Sequence, residues 1–484
     1  MGDNSMASGS KFDRLFRTFR FLPLHQPLNP TPNLPSLPPC PHIRDRPFAD
    51  LVGHALDQWT VSNHIFPAAY PRSMRGSALS PGIHPQPNHL DSTDRMEIAK
   101  RILAANSDTS RVDDSTDMTQ IDECQLFISV NRYYRKAGSS SNAHNGITLI
   151  FSHANGLHKE TWEPTLAHLL QFPEAELVSE IWALDCVNQG DSAVLNRDTL
   201  GERFDWADHA RDLLQFIIAH LPEAKAAKTE SLPKLLKRQV SPDDPLLQLN
   251  DFPSSPVTSR VIQNGLSWRG RQIGLVGHSL GGCASALAAT TIPQLIKLVI
   301  LIDAVIIPSV LINEEYLSRN ASLSALRRDR WKARAEAHDS FIRKTEFFGR
   351  WDPAVLERYV NFGLTELDDE LRLKCDRLHE TSVFADPLYR PAIAFRRLQS
   401  LEKSQELKPF IREHTPKIRY VFPGPGRSVI EETFLLKHIQ EKNSEVMRIN
   451  EAGHLIVQEC PLALSKCLAR FLEEFNSSKN LSKL

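Results

Sequence analysis

A serine flanked by glycines is the first residue in this chain whose setting implies a reaction. Gly277-His278-Ser279-Leu280-Gly281 follows the apolar run Ile273 to Val276 and precedes an alanine-rich stretch, Cys283 to Thr290. Small residues two positions to either side let a strand and a helix approach each other across a tight turn, which presents the serine hydroxyl at its apex. A helix that begins just past Ser279 aims its amino-terminal dipole and the Leu280 backbone N–H at the place where an oxyanion would form. The chemistry implied is attack of the Ser279 hydroxyl on a carbonyl, and that attack needs a base. Among the 18 histidines, His454 in Glu451-Ala452-Gly453-His454-Leu455 alone follows the last apolar run, Val446 to Ile449, and precedes a closing helix. Gly453 frees that loop to carry the imidazole toward Ser279, where it would take the hydroxyl proton and return it to the leaving group.

The elements that must position these groups alternate in type. Leu126 to Val130, Ile147 to Phe151, Ile181 to Leu184, Ile273 to Val276 and Leu298 to Ile302 read as strands, and Trp206, Leu213, Phe216, Ile217 and Leu221 keep a helical period. Ile418 to Phe422 and Val446 to Ile449 resume the strands, and Leu464, Leu468, Phe471, Leu472 and Phe475 form one face of a final helix. This alternation predicts an α/β fold with a mostly parallel sheet covered by helices on both faces. Residues 1–95 hold 14 of the 32 prolines and no sustained pattern, which predicts a disordered extension, and Met96 would also serve as a start. The core is expected over residues 96–306, interrupted by a polar, exposed insertion at 223–265, and again over 410–475. Residues 307–409 are charged and helical in pattern and read as a lid; 476–484 read as a tail.

Bulk composition narrows the partners. The net charge of -1 offers no basic field for nucleic acid, and no run of apolar residues is long enough for a transmembrane segment. The 7 cysteines are scattered without CxxC spacing, so no metal site, cofactor constellation or disulfide framework is expected, and a reducing compartment fits. Lys11 to Arg20 lacks the apolar stretch of a secretory signal. Ser482-Lys483-Leu484 matches the tripeptide that a peroxisomal import receptor reads, which places the expected location in the peroxisomal matrix. The run Arg327 to Arg334 reads as the solvated face of a lid helix or, as the alternative, a seat for a substrate anion.

With the elbow, the closing histidine and the strand order in place, residues from about Gln125 to Phe475 resemble an α/β-hydrolase. The resemblance implies a second oxyanion donor just after a strand that ends in His-Gly; here that stretch is Ser152-His153-Ala154-Asn155-Gly156, with Ala154 in place of the usual glycine, so the role passes to Asn155, an ordinary turn being the alternative, and His153 braces the loop. Many members carry their acid in a turn after the strand matching Ile418 to Phe422, but Pro423-Gly424-Pro425-Gly426-Arg427-Ser428 has no carboxylate. The branch that haloalkane dehalogenases illustrate places it one strand earlier, where Asp303 stands. Asp303 as a helix cap or turn former, and Glu431 or Glu432 reaching in from the later loop, remain open alternatives. Asp185, Gly190, Asp191 and Ser192 resemble a structural turn of the family whose middle is replaced by Asn188-Gln189. Together with the carboxy-terminal tripeptide, the chain is similar to fungal peroxisomal lipases and toxin-biosynthesis hydrolases. The resemblance implies a serine esterase or lipase acting on small-molecule fatty acyl esters, with an acyl thioesterase, an acyltransferase or a noncatalytic binding module as alternatives.

Overall fold

Short runs rich in β-branched and large apolar residues, closed by Gly, Pro or polar turns, become strands that are buried on both faces. The computed structural model describes residues 16, 19–27, 46–47, 58–83, 92–105, 121–136, 146–224, 232–249, 268–311, 314–367, 369–385, 389–407, 415–430, 432, 435 and 444–481. In chain order the strands are β1 (Arg46–Pro47), β2 (Trp59–Pro67), β3 (Phe127–Arg135), β4 (Ile147–Ser152), β5 (Val178–Leu184), β6 (Gln272–His278), β7 (Ile296–Ile302), β8 (Arg330–Trp331), β9 (Leu364–Leu367), β10 (Glu370–Leu373), β11 (Lys417–Pro423) and β12 (Ser444–Ile449). Nine of them form one sheet in the order β1-β2-β3-β5-β4-β6-β7-β11-β12. Pairing is parallel from β5 through β12, while β2 and β3 run antiparallel. Successive residues of each strand face opposite sides. Ile150, Leu275, Val299 and Leu301 therefore enter one core layer, and Leu149, Phe151, Val276, Leu298 and Ile300 the other. The register sets β6, β7 and β11 side by side, with their carboxyl ends at one edge, where α/β sheets carry their sites.

Several sequence expectations need correction. Residues 1–95 are not a bystander extension: β2 pairs with β3 over its whole length, and Phe19, Phe21, Leu22 and Leu24 are buried. The Arg211 guanidinium fixes that amino-terminal strap by donating to the carbonyls of Leu22 and Pro23 at 3.0 and 2.9 Å. A start at Met96 would delete both. The physical reason lies in the strand's middle: Asn63 interrupts the buried apolar alternation Trp59, Val61, Ile65, and its amide is satisfied only across the ladder, on Ser129 and Asn131. The helix Ser92–Ala105 lies against the lid, with Ile98 and Ile102 on Ala385. Within the expected polar insertion, residues 232–249 are partly core: Leu236, Leu246, Leu247 and Leu249 are buried, and residues 234–236 bond β2 at Ile65. Residues 225–231 and 250–267 lie outside the described residues.

The lid is not purely helical. β8, β10 and β9 form a small antiparallel sheet that packs with helices Arg334–Ile342 and Pro353–Phe362 around an aromatic cluster of Trp331, Phe341, Phe348, Trp351 and Tyr359, while helices Glu314–Leu326 and Arg377–Phe384 pack on each other. Its far end belongs to the core instead. Ala394, Leu398 and Leu401 of helix Arg390–Leu407 share the core layer of the alanine-rich helix Leu280–Thr291, whose short side chains allow close approach. Buried ion pairs join lid to core: Lys374 reaches Asp191, which also holds Lys159 Nζ at 2.6 Å, and Lys159 bonds Asp185 at 2.7 Å. The turn read as structural thus anchors the lid. Ser482, Lys483 and Leu484 lie outside the described residues, as does Glu431.

Candidate active site

Ser279 follows β6 directly and caps helix Leu280–Thr291 with φ 54° and ψ −116°, a backbone conformation that costs a non-glycine residue on the order of 1–3 kcal/mol. The surroundings hold it there. Its N–H donates to the Ile302 carbonyl at 3.1 Å, and its own carbonyl accepts from Val305 N–H at 3.2 Å and Cys283 N–H at 3.1 Å. The flanking glycines are required by contact: a Cβ on Gly277 would meet the Gly281 carbonyl oxygen at 2.3 Å, and one on Gly281 would meet the Ser152 carbonyl oxygen at 2.3 Å. Leu280 is the first residue of the helix, so its N–H is among the terminal amides that have no intrahelical acceptor.

The structure brings Ser279, His454 and Asp303 together. His454 Nε2 lies 3.1 Å from Ser279 Oγ, and His454 Nδ1 lies 2.6 Å from Asp303 Oδ2. A carboxylate only accepts, so Nδ1 carries the imidazole proton and Nε2 is left free to accept from the serine. Asp303 follows β7 directly and also takes a positive φ, 33°. It is fully buried, with its N–H on the Val421 carbonyl at 2.8 Å. Two further donors serve its carboxylate. Ser428 Oγ donates to Oδ1 and Val429 N–H to Oδ2 at 3.4 Å. Ser428 stands in the late turn that lacks a carboxylate, so the loop that carries the acid in many relatives here supplies a donor to it. Glu432 is occupied elsewhere, in an ion pair with Arg448.

Histidines of the neighbouring loops act as props. His278 Nε2–H donates to the His454 carbonyl at 2.8 Å, and burial pushes its imidazole down to about 3, which keeps it neutral. His153 Nδ1–H donates to the Ala154 carbonyl at 2.8 Å while Nε2 accepts Cys186 N–H at 3.2 Å, and burial lowers it to about 4. These two bonds brace the loop that carries Asn155. Asn155 is the third residue after β4, and its side-chain amide points away to the lid, donating to the Glu380 carbonyl at 3.1 Å. Local pattern gave no sign of Ser428 or of the His278 contact, since both depend on partners more than a hundred residues away.

A family model described as the alpha/beta hydrolase family matches residues 149–465, more than half of the chain. Peroxisomal membrane protein LPX1 of Saccharomyces cerevisiae is 26% identical over 240 residues, 46% of this chain and 51% of the yeast protein. Type I acyl-CoA thioesterase mpaH' of Penicillium brevicompactum is 38% identical over 73 residues, 15% of this chain and 17% of that protein. The chain therefore spans about half, or less, of the length of these curated relatives. Among solved structures, the peroxisomal alpha-beta-hydrolase Lpx1 of S. cerevisiae matches with a TM-score of 0.55 at 18% identity, over 87% of this chain and 91% of that one. This likeness is one of fold. The chain belongs to the alpha/beta hydrolase family.

Proposed function

We propose that the protein is a serine hydrolase that cleaves carboxylic esters, with fatty acyl esters as its substrate class, through an acyl-enzyme on Ser279. The observation that carries this reading is the run of contacts from Ser279 Oγ to His454 at 3.1 Å and on to Asp303 at 2.6 Å. His454 Nε2 takes the Ser279 proton as Oγ attacks the ester carbonyl, and the Leu280 and Asn155 backbone N–H groups receive the oxyanion. The imidazolium, held by Asp303, then protonates the departing alcohol. Water, deprotonated by His454, releases the acid and restores the serine. A serine at this position cannot form the alkyl-enzyme ester on which dehalogenase and epoxide hydrolase chemistry depends.

Thioester cleavage is a second reading, supported by the match to a Penicillium protein named as a type I acyl-CoA thioesterase. The same groups serve it, because only the leaving atom differs. Peroxisomal residence is part of the proposal and is supported by the name of the yeast relative and by the tripeptide Ser482-Lys483-Leu484. In the described residues no helix is long and apolar enough to cross a membrane. The test sets p-nitrophenyl esters of graded chain length beside acyl-CoA thioesters, with wild type and Ser279→Ala. In a related triad, loss of the serine cost on the order of a millionfold in turnover. Equal rates for the two proteins on every substrate would refute the proposal.

A further inference from the structure

The loop that carries Asn155 is held from two sides. Gly156 N–H donates to Gln189 Oε1 at 3.0 Å, and Gln189 Nε2 donates to Asn155 Oδ1 at 2.6 Å. Asn155 Nδ2 in turn donates to the Glu380 carbonyl in the lid at 3.1 Å. A side-chain amide is assigned by its partners, and here both ends of the run are backbone groups of fixed character. An N–H at Gly156 can only donate and a C=O at Glu380 can only accept, so both amides have one permitted orientation and every bond points from core to lid. Gln189 is fully buried. The adjoining Asn188 makes the same crossing, from Nδ2 to the His379 carbonyl at 3.2 Å. These two residues are where the sequence departs from the family's turn after β5.

We propose that Gln189 is a positioning residue for the oxyanion loop: its amide sets the Asn155 backbone by a one-way run of hydrogen bonds that ends on lid helix Arg377–Phe384. The inference rests on the serine hydrolase reading, in which the Asn155 N–H receives the oxyanion. It adds that the seating of the lid is communicated to that N–H. When the lid helix leaves, Asn155 Nδ2 loses its acceptor, and the loop loses one of the two amides that fix it.

Two variants separate this role from simple packing. Gln189→Met keeps length and removes both bonds at every pH. Gln189→Glu keeps shape and the acceptor for Gly156 N–H, and its buried carboxyl donates to Asn155 Oδ1 only while protonated. The rate of each variant divided by that of wild type removes the protonation of His454, which all three proteins share. Across about pH 5 to pH 9 the Gln189→Met ratio is expected to stay flat at roughly a hundredfold loss in kcat with KM little changed, the scale of a misplaced or missing oxyanion donor. The Gln189→Glu ratio should start near wild type at low pH and fall as the carboxyl ionises. A parallel readout needs no activity: amide hydrogen exchange of the segment 153–157 in the intact chain should quicken in Gln189→Met. Unchanged exchange overturns the positioning role whatever the kinetics. An active wild type with a pH-independent Gln189→Glu ratio also overturns it. A wild type inert on esters and thioesters refutes the hydrolase reading instead, and exchange alone then decides whether Gln189 holds the loop.

Discussion

The substitution Asp303→Asn should cost less here than a carboxylate-to-amide change in a catalytic triad usually does, and the reason is Ser428. In a triad where the amide turns its NH2 toward the imidazole, the wrong tautomer is stabilised and turnover drops by about 10⁴. At Asp303 the oxygen beside His454, Oδ2, also accepts Val429 N–H, so that position calls for an acceptor. Oδ1 faces a hydroxyl, and a hydroxyl can turn from donor to acceptor. Ser428 Oγ already accepts Ile430 N–H at 3.2 Å and has room for a second donor. In Asp303→Asn the carbonyl therefore takes the Oδ2 place, the NH2 donates to Ser428, and the reactive tautomer of His454 survives. What is lost is the charge opposite the imidazolium. Two unit charges about 4 Å apart at an effective dielectric near 20 interact by about 4 kcal/mol, and exchanging a charged acceptor for a neutral one forfeits at least about 1–2 kcal/mol. A loss of about 2–4 kcal/mol is about 30- to 1,000-fold in kcat/KM. Adding Ser428→Ala removes the acceptor that oriented the amide, so the double variant should fall to about 10⁴ and the two effects should not add. The assay is ester hydrolysis under single-turnover conditions for both single variants and the double. A 10⁴ loss in Asp303→Asn alone, or a double variant no worse than it, refutes the argument. An unaffected Asp303→Asn removes Asp303 from the mechanism.

Three further outcomes are expected. Gly281→Ala forces a Cβ to within 2.3 Å of the Ser152 carbonyl, a backbone atom that cannot step aside, and should cost about 4 kcal/mol or more in thermal or urea unfolding. Lys159→Met leaves the buried carboxylates of Asp185 and Asp191 without the cation now 2.7 and 2.6 Å away, and should destabilise by about 3–5 kcal/mol, measured by denaturant titration. Burial pushes the Glu123 carboxyl up to about 7, so its stabilising contribution is complete below the ordinary carboxylate range and is lost as pH rises through 7. Glu123→Gln should therefore match wild type near pH 4 and exceed it by about 1–2 kcal/mol near pH 8 in a melting series, the figure being reduced for partial exposure.

What could be read from the sequence follows from how far each signal reaches along the chain. The elbow at Ser279, the strands beneath it and the loop of His454 are local patterns, whereas Asp303 is legible only through the resemblance to the haloalkane-dehalogenase branch, beside the alternatives of a cap or of Glu431 or Glu432. β2 was missed because Ser62, Asn63 and His64 look unfit for a core: Ser62 bonds His64, but the partners of Asn63, Ser129 and Asn131, lie 66 and 68 residues away, and Pro233, the partner of His64, lies 169 away. The boundary of the lid was misplaced at helix Arg390–Leu407 because its burial depends on the alanines of Leu280–Thr291, more than a hundred residues earlier. Gln189 was visible only as a departure from a family turn. Its meaning required Glu380, which no local rule brings near.

The strand order also imposes a schedule on synthesis. Ser279 and Asp303 leave adjacent strands near the middle of the sheet, but the base comes from the loop after β12, the outermost strand, 175 residues later than the serine. At roughly 5–20 residues per second, a ribosome would place about 10–35 s between the two. Once Ile302 and Val305 have followed, a nascent chain has the groups that hold the strained serine over its helix terminus, yet it lacks the histidine that on the proposed reading removes the serine's proton. Hydrolytic competence would thus arrive with the last strand, and a polypeptide released early by a stop codon or a stalled ribosome would carry the nucleophile in silence.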